Sequence, residues 1–97
     1  MPTYIMLSNW TDQGVRQIKD SPDRLEAARK LCNQHGAEIT SFHMTLGSYD
    51  MVIVIDAPND DVLARLVLSI AKGGNIRTTT LKAFGEDEYR KVIESLG

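Results

Sequence analysis

The chain has 97 residues, 42% of them hydrophobic and 25% charged, with Lys plus Arg at 11, Asp plus Glu at 13 and a formal charge of −2. These proportions fit one soluble globular domain over residues 1–97, and the charge gives no electrostatic reason to expect DNA, RNA or an anionic membrane as partner. A chain this short has a poor ratio of buried to exposed surface, so stabilisation by a partner subunit is expected from the outset.

Cys32 is the only cysteine, which excludes an internal disulfide. The opening MPTYIML lacks the basic start, long apolar run and small-residue cleavage site of a signal peptide. The longest apolar run, Met51 to Ile55, is far too short to span a bilayer, and a cytoplasmic protein is the expectation.

Along the chain, TYIMLSNW (Thr3 to Trp10) is aromatic, β-branched and bulky, which predicts a first strand. TDQGVRQIKD offers Thr11 as an N-cap, Asp12 in the first turn, and Val15 and Ile18 three apart, a short helix. SPDRLEAARKLCNQHG is a stronger signal. Ser21 can cap, Pro22 suits the first helical position, Leu25, Ala28, Leu31 and Cys32 share a face, and Gly36 suits the left-handed stop, so residues 22–35 are predicted helical.

AEITSFHMTL (37–46) and YDMVIVIDA (49–57) read as a strand pair joined by a two-residue turn, Gly47-Ser48, with Gly47 at the position of a type II′ turn that needs positive φ. After PNDD, where Asn59 or Asp60 can cap, Val62, Leu63, Leu66, Val67 and Ile70 form one apolar helical face that ends at Gly73-Gly74. NIRTTTLKAF alternates as a fourth strand. GEDEYRKVIESLG starts acidic and carries Tyr89, Val92, Ile93 and Leu96 at helical spacing.

The resulting order, β, split α, β, β, α, β, α, is the α+β ferredoxin-like split βαβ arrangement: a four-stranded antiparallel sheet, helices on one face and a short C-terminal helix. A single helix layer leaves the other sheet face bare. Strand alternation assigns Phe42, Met44, Leu46, Met51, Ile53 and Ile55 to the helix side, with Ile5 and Leu7 in the core. It puts Tyr4, Met6, Ser8, Trp10, Ser41, His43, Thr45, Asp50, Val52 and Val54 on the bare side. Arg77 has no assigned face, because both alternations of the fourth strand contain apolar residues. Burying Met6, Trp10, Val52 and Val54 would contribute roughly 1.5–3 kcal/mol each, so a second copy is expected to cover that face as a homodimer or higher homo-oligomer.

WTDQG after the first strand, TLGSYD at the hairpin, APND and above all GNIRTTTLKAF together resemble the GYD family of small bacterial and archaeal proteins, with Gly47, Tyr49 and Asp50 at its signature positions and Ser48 as an inserted residue. The resemblance covers nearly the whole chain. It implies a ferredoxin-like fold similar to the dimeric α/β barrel proteins, of which some are cofactor-independent monooxygenases or isomerases and others bind haem or sense ligands.

Residue by residue, Asp50 can act as a base or orient His43, its diagonal neighbour on the predicted face, or it can simply serve the turn. His43 is the titratable group expected to point into the covered space, with a satisfied buried histidine as the plainer alternative. Tyr49 is expected to pack against Leu46 or the helix layer, His35 to serve a helix end, Cys32 to be a buried thiol, and Trp10 to fill an interface or line a cavity. No metal motif, phosphate loop or aromatic RNA-binding motif is present, and no cofactor is expected. Two classes of function remain. One is an oligomeric module that binds or senses a small molecule with candidate residues Tyr4, Ser8, Trp10, Ser41, His43 and Asp50. The other is a cofactor-free enzyme with His43 and Asp50 as acid and base.

Overall fold

In the computed structural model, which describes residues 1–97, the chain runs β1 (Thr3–Trp10), α1 (Asp12–Arg16), a 3-10 turn (Ile18–Asp20), α2 (Ser21–Gln34), β2 (Glu38–Met44), β3 (Met51–Asp56), α3 (Asp60–Ala71), β4 (Ile76–Ala83) and α4 (Glu86–Glu94). The strands pair antiparallel in the order β2-β3-β1-β4, the ferredoxin-like arrangement that the alternation of elements predicts. The core lies between one sheet face and the two longer helices. Tyr4, Met6, Ile53 and Ile55 from the sheet meet Cys32 of α2 and Leu63 and Leu66 of α3.

Two expected caps are present. The Thr11 hydroxyl accepts the Gly14 N–H at 3.1 Å, and Asn59 Oδ1 accepts the Val62 N–H at 3.0 Å, each meeting an amide that the first turn leaves unpaired. Gly36 closes α2 with φ of 74°, as its left-handed stop requires. Ser21 corrects the reading of α2: it is the first helical residue, not the cap, and its hydroxyl accepts the Trp10 indole N–H at 3.3 Å instead.

The hairpin is a second correction. Thr45 N–H bonds Asp50 O at 2.8 Å and the Thr45 hydroxyl bonds Tyr49 O at 2.6 Å, so Leu46–Tyr49 form the loop in place of Gly47-Ser48 alone. Leu46, 96% exposed, leaves the helix side, while Tyr49 is partly buried. Both lengths are even, so the expected register survives, with Met44 opposite Met51 and His43 opposite Val52.

The faces of β1 are inverted relative to expectation. Tyr4, Met6 and Ser8 are buried under the helices, whereas Ile5 and Leu7 belong to the other side. Met6 pairs with Ile53, and Ile5 with Val54, so the well-determined faces of β3 fix those of β1. Arg77 pairs with Asn9 and falls on the bare side.

WTDQG and GGN interlock at one end of the sheet. Thr11 N–H bonds Asn75 O at 3.0 Å, the Thr11 hydroxyl bonds Gly74 O at 2.6 Å, and Gln13 Nε2 bonds Gly73 O at 3.0 Å. Gly14 fits against this loop only because it has no Cβ: a methyl there would lie 2.2 Å from Asn75 O. At the other end of the chain α4 stands away from the body and no other element packs substantially against it. Its Tyr89, Val92, Ile93 and the following Leu96 are exposed. The radius of gyration of 14.6 Å accordingly exceeds the roughly 12.5 Å of a compact chain this long.

Candidate functional site: a bare sheet face and a cavity behind it

The bare face carries a contiguous apolar patch set by strand pairing: Ile5 lies between Val54 and Leu81, and Leu7 beside Val52. Cross-strand neighbours half-bury Ile5, Leu7, Val52 and Val54, but no helix layer covers them, and Leu81 is 47% exposed. Ser41 sits opposite Val54 and His43 opposite Val52, so both keep the predicted face and form the polar margin on the β2 side. Thr79 and Arg77 form the margin on β4.

Of the other candidates, Tyr4, Ser8 and Trp10 are not on this face. Ser8 is fully buried on the helix side, and its hydroxyl has no hydrogen-bond partner among the protein groups. Tyr4 is buried, but its hydroxyl reaches the periphery and donates to the Asp60 carboxylate, which Lys82 Nζ also approaches at 3.4 Å. Donating to a carboxylate requires the phenol proton, so this bond, with desolvation and the Asp60 charge adding to it, pushes the Tyr4 hydroxyl up to about 12. The same hydrogen bond, with Lys82 assisting, holds Asp60 below the ordinary carboxylate range.

Asp50 and His43 do not form a pair. The Asp50 carboxylate accepts the Trp10 backbone N–H at 3.0 Å, while Asp50 N–H bonds Ser8 O at 2.9 Å and Asn9 Oδ1 at 3.0 Å. These bonds lock the hairpin onto the end of β1, and no hydrogen bond joins Asp50 to the exposed His43 imidazole. His35 Nδ1 lies 2.9 Å from Leu31 O at the end of α2, consistent with a helix-end role. Cys32 is fully buried, and burial pushes its thiol up, which suppresses the nucleophilic thiolate. No three His, Cys, Asp or Glu side chains converge on one point, and no helix is long and apolar enough to cross a membrane.

Behind the sheet, between its helix face and α2 and α3, lies a cavity of about 260 Å³ that side-chain patterning does not foretell. Twelve of its 16 lining residues are hydrophobic, with Met6, Trp10, Phe42 and Met51 contributed by the sheet side and Leu25, Ala28 and Leu31 by α2. Its polar lining includes Ser21, Arg24 and Asn75. Of the two roles the sequence offers Trp10, interface filler and cavity wall, the side chain takes the second. Ser21 and Arg24 carry no signal of this in the sequence, because a serine and an arginine near a helix start normally read as cap and solvated face.

With this geometry in view, the relatives are informative. The chain is 36% identical over 84 residues, 86% of its own length and 88% of the relative's, to the glutamine synthetase and cystathionine beta-lyase binding protein of Thermus thermophilus. Among solved structures it resembles the feast or famine regulatory protein of M. tuberculosis complexed with L-methionine, with a TM-score of 0.67 and 20% identity over 88% of this chain; it spans about half of that protein (51%). It also resembles the 5-chloro-2-hydroxyhydroquinone dehydrochlorinase of Burkholderia phenoliruptrix AC1100, with a TM-score of 0.61 and 15% identity, covering 90% of this chain and 97% of that one. At such identities these two likenesses concern the fold. The model of the GYD domain matches residues 4–93, and the chain belongs to the GYD domain family.

Proposed function

We propose that this chain is a non-catalytic binding module that works as a homo-oligomer, closing its bare sheet face against a second copy and presenting the assembled surface to an enzyme partner. The observation that carries the reading is the uncovered patch of Ile5, Leu7, Val52, Val54 and Leu81. Leaving it in water forgoes roughly 25 cal/mol for each Å² that a partner would bury.

The size of the patch makes the reading more specific. Strands of six to eight residues at about 3.3 Å per residue, four abreast at about 4.8 Å, cover only roughly 400–500 Å² per copy. That flat footprint is smaller than the accessible surface its side chains present, and the exposed Tyr89, Val92 and Ile93 along α4, with the following Leu96, offer further apolar surface to the same assembly. The enzyme alternative has lost its intended pair, since the Asp50 carboxylate is engaged by the Trp10 amide and not by His43.

The Thermus relative's name points to the first partners to test. Purified protein mixed with glutamine synthetase, and separately with cystathionine β-lyase, from the same cells is expected to co-elute with at least one of them on size-exclusion chromatography. Absence of co-elution with both at tens of micromolar would contradict the partner assignment.

A further inference from the structure

We propose that the cavity between the sheet and α2 and α3 is a binding site for a small carboxylate with an apolar body, held at its charged end by Arg24. This site lies on the opposite side of the sheet from the proposed interface and does not depend on the partner assignment.

The size of the space limits the ligand. At about 260 Å³ it exceeds the roughly 150 Å³ apolar cavity known to hold a benzene molecule, yet it lies below the usual ~300–1,000 Å³ of drug-sized sites. One aromatic ring or branched chain with a short polar arm fits that range. The apolar walls favour such a body, because transfer of its surface out of water is favourable and the walls offer it few hydrogen bonds.

Of the four polar lining residues, Ser69 sits on α3, while Ser21 and Asn75 lie near Trp10 and Arg24 is on the first turns of α2. Ser21 accepts the Trp10 indole N–H, and Asn75 precedes Ile76, the β4 partner of Trp10. Arg24 donates from Nη1 to Gln17 O at 3.0 Å and from Nη2 to Gly14 O at 3.3 Å. Those two carbonyls fix the guanidinium of Arg24, a partly buried residue that lines the cavity, without neutralising it, and none of the three ion pairs in the structure involves Arg24. A planar cation with fixed orientation and remaining N–H donors is well suited to a carboxylate. An uncharged apolar molecule would fill the space but leave that charge unanswered.

The methionines provide a test on the unmodified protein. Of the four, Met6 and Met51 line the cavity, whereas Met1 and Met44 are exposed elsewhere. With methyl-labelled methionine, titration with phenylacetate is expected to shift the Met6 and Met51 signals saturably and leave Met1 and Met44 in place. Fluorescence of Trp10, the only tryptophan, should change with the same midpoint. Phenylacetamide, the neutral counterpart, should bind about tenfold more weakly or worse, and Arg24→Gln should remove that preference for the charged probe. Non-saturable shifts, shifts confined to Met1 and Met44, or equal affinity for the two probes in the unmodified protein would overturn the proposal.

Discussion

The Asp50 carboxylate accepts the backbone N–H of Trp10 at 3.0 Å, so the hairpin aspartate grips the first strand at the edge of the cavity. This accounts for Asp50 structurally. Asp50→Ala is expected to lower unfolding stability by about 1–2 kcal/mol, because it removes a charge-assisted hydrogen bond to a partly buried amide. Asp50→Asn, which keeps an acceptor, should cost less. Urea denaturation followed by Trp10 fluorescence measures both, and an unchanged midpoint for the alanine variant would contradict the assigned role.

Gly14 and Asn75 set a second expectation. An added Cβ at residue 14 would stand 2.2 Å from the Asn75 carbonyl oxygen, a backbone atom that already accepts the Thr11 N–H. Gly14→Ala should therefore force α1 away from the loop before β4 and destabilise the fold by about 2–3 kcal/mol. A loss below about 0.5 kcal/mol by denaturant titration would show that the loop yields freely.

The tyrosine–aspartate pair predicts two pH limits. Tyr4 is raised from an ordinary 10.0 to about 12, so its contribution to stability is complete below pH 10 and disappears as pH rises through about 12. Asp60 is lowered from 3.8, so its contribution is present above that value and is lost as pH falls through the depressed one. In rapid pH jumps that precede unfolding, the tyrosinate absorbance difference between the unmodified protein and Tyr4→Phe should have a midpoint near 12. Asp60→Asn should move it toward 10. A midpoint of 10 in the unmodified protein would contradict the bond.

The fold was legible because periodicity and punctuation agreed. Thr11 and Asn59 mark helix starts, Gly36 marks a stop, and the even hairpin preserved the pairing of His43 with Val52 despite its longer loop. The faces of β1 were not legible, because Tyr4 and Met6 on one alternation and Ile5 and Leu7 on the other are equally apolar. Only pairing to Ile53 and Val54 decides between them. That inversion moved Tyr4, Ser8 and Trp10 away from the proposed interface while Ser41 and His43 stayed. The cavity was hidden for a related reason: it depends on how far α2 and α3 stand apart, and side-chain alternation carries no information about that spacing.

Closure of the sheet face against a second copy is tested most directly by sedimentation velocity on the unmodified protein and on Val54→Glu. The unmodified protein at micromolar concentration is expected to sediment as a dimer or higher multiple of the 10.8 kDa chain. A glutamate buried in that interface should shift Val54→Glu to monomer with its helical and strand content retained. A folded, unmodified monomer under those conditions, or an assembly indifferent to the glutamate, would contradict closure through the sheet face.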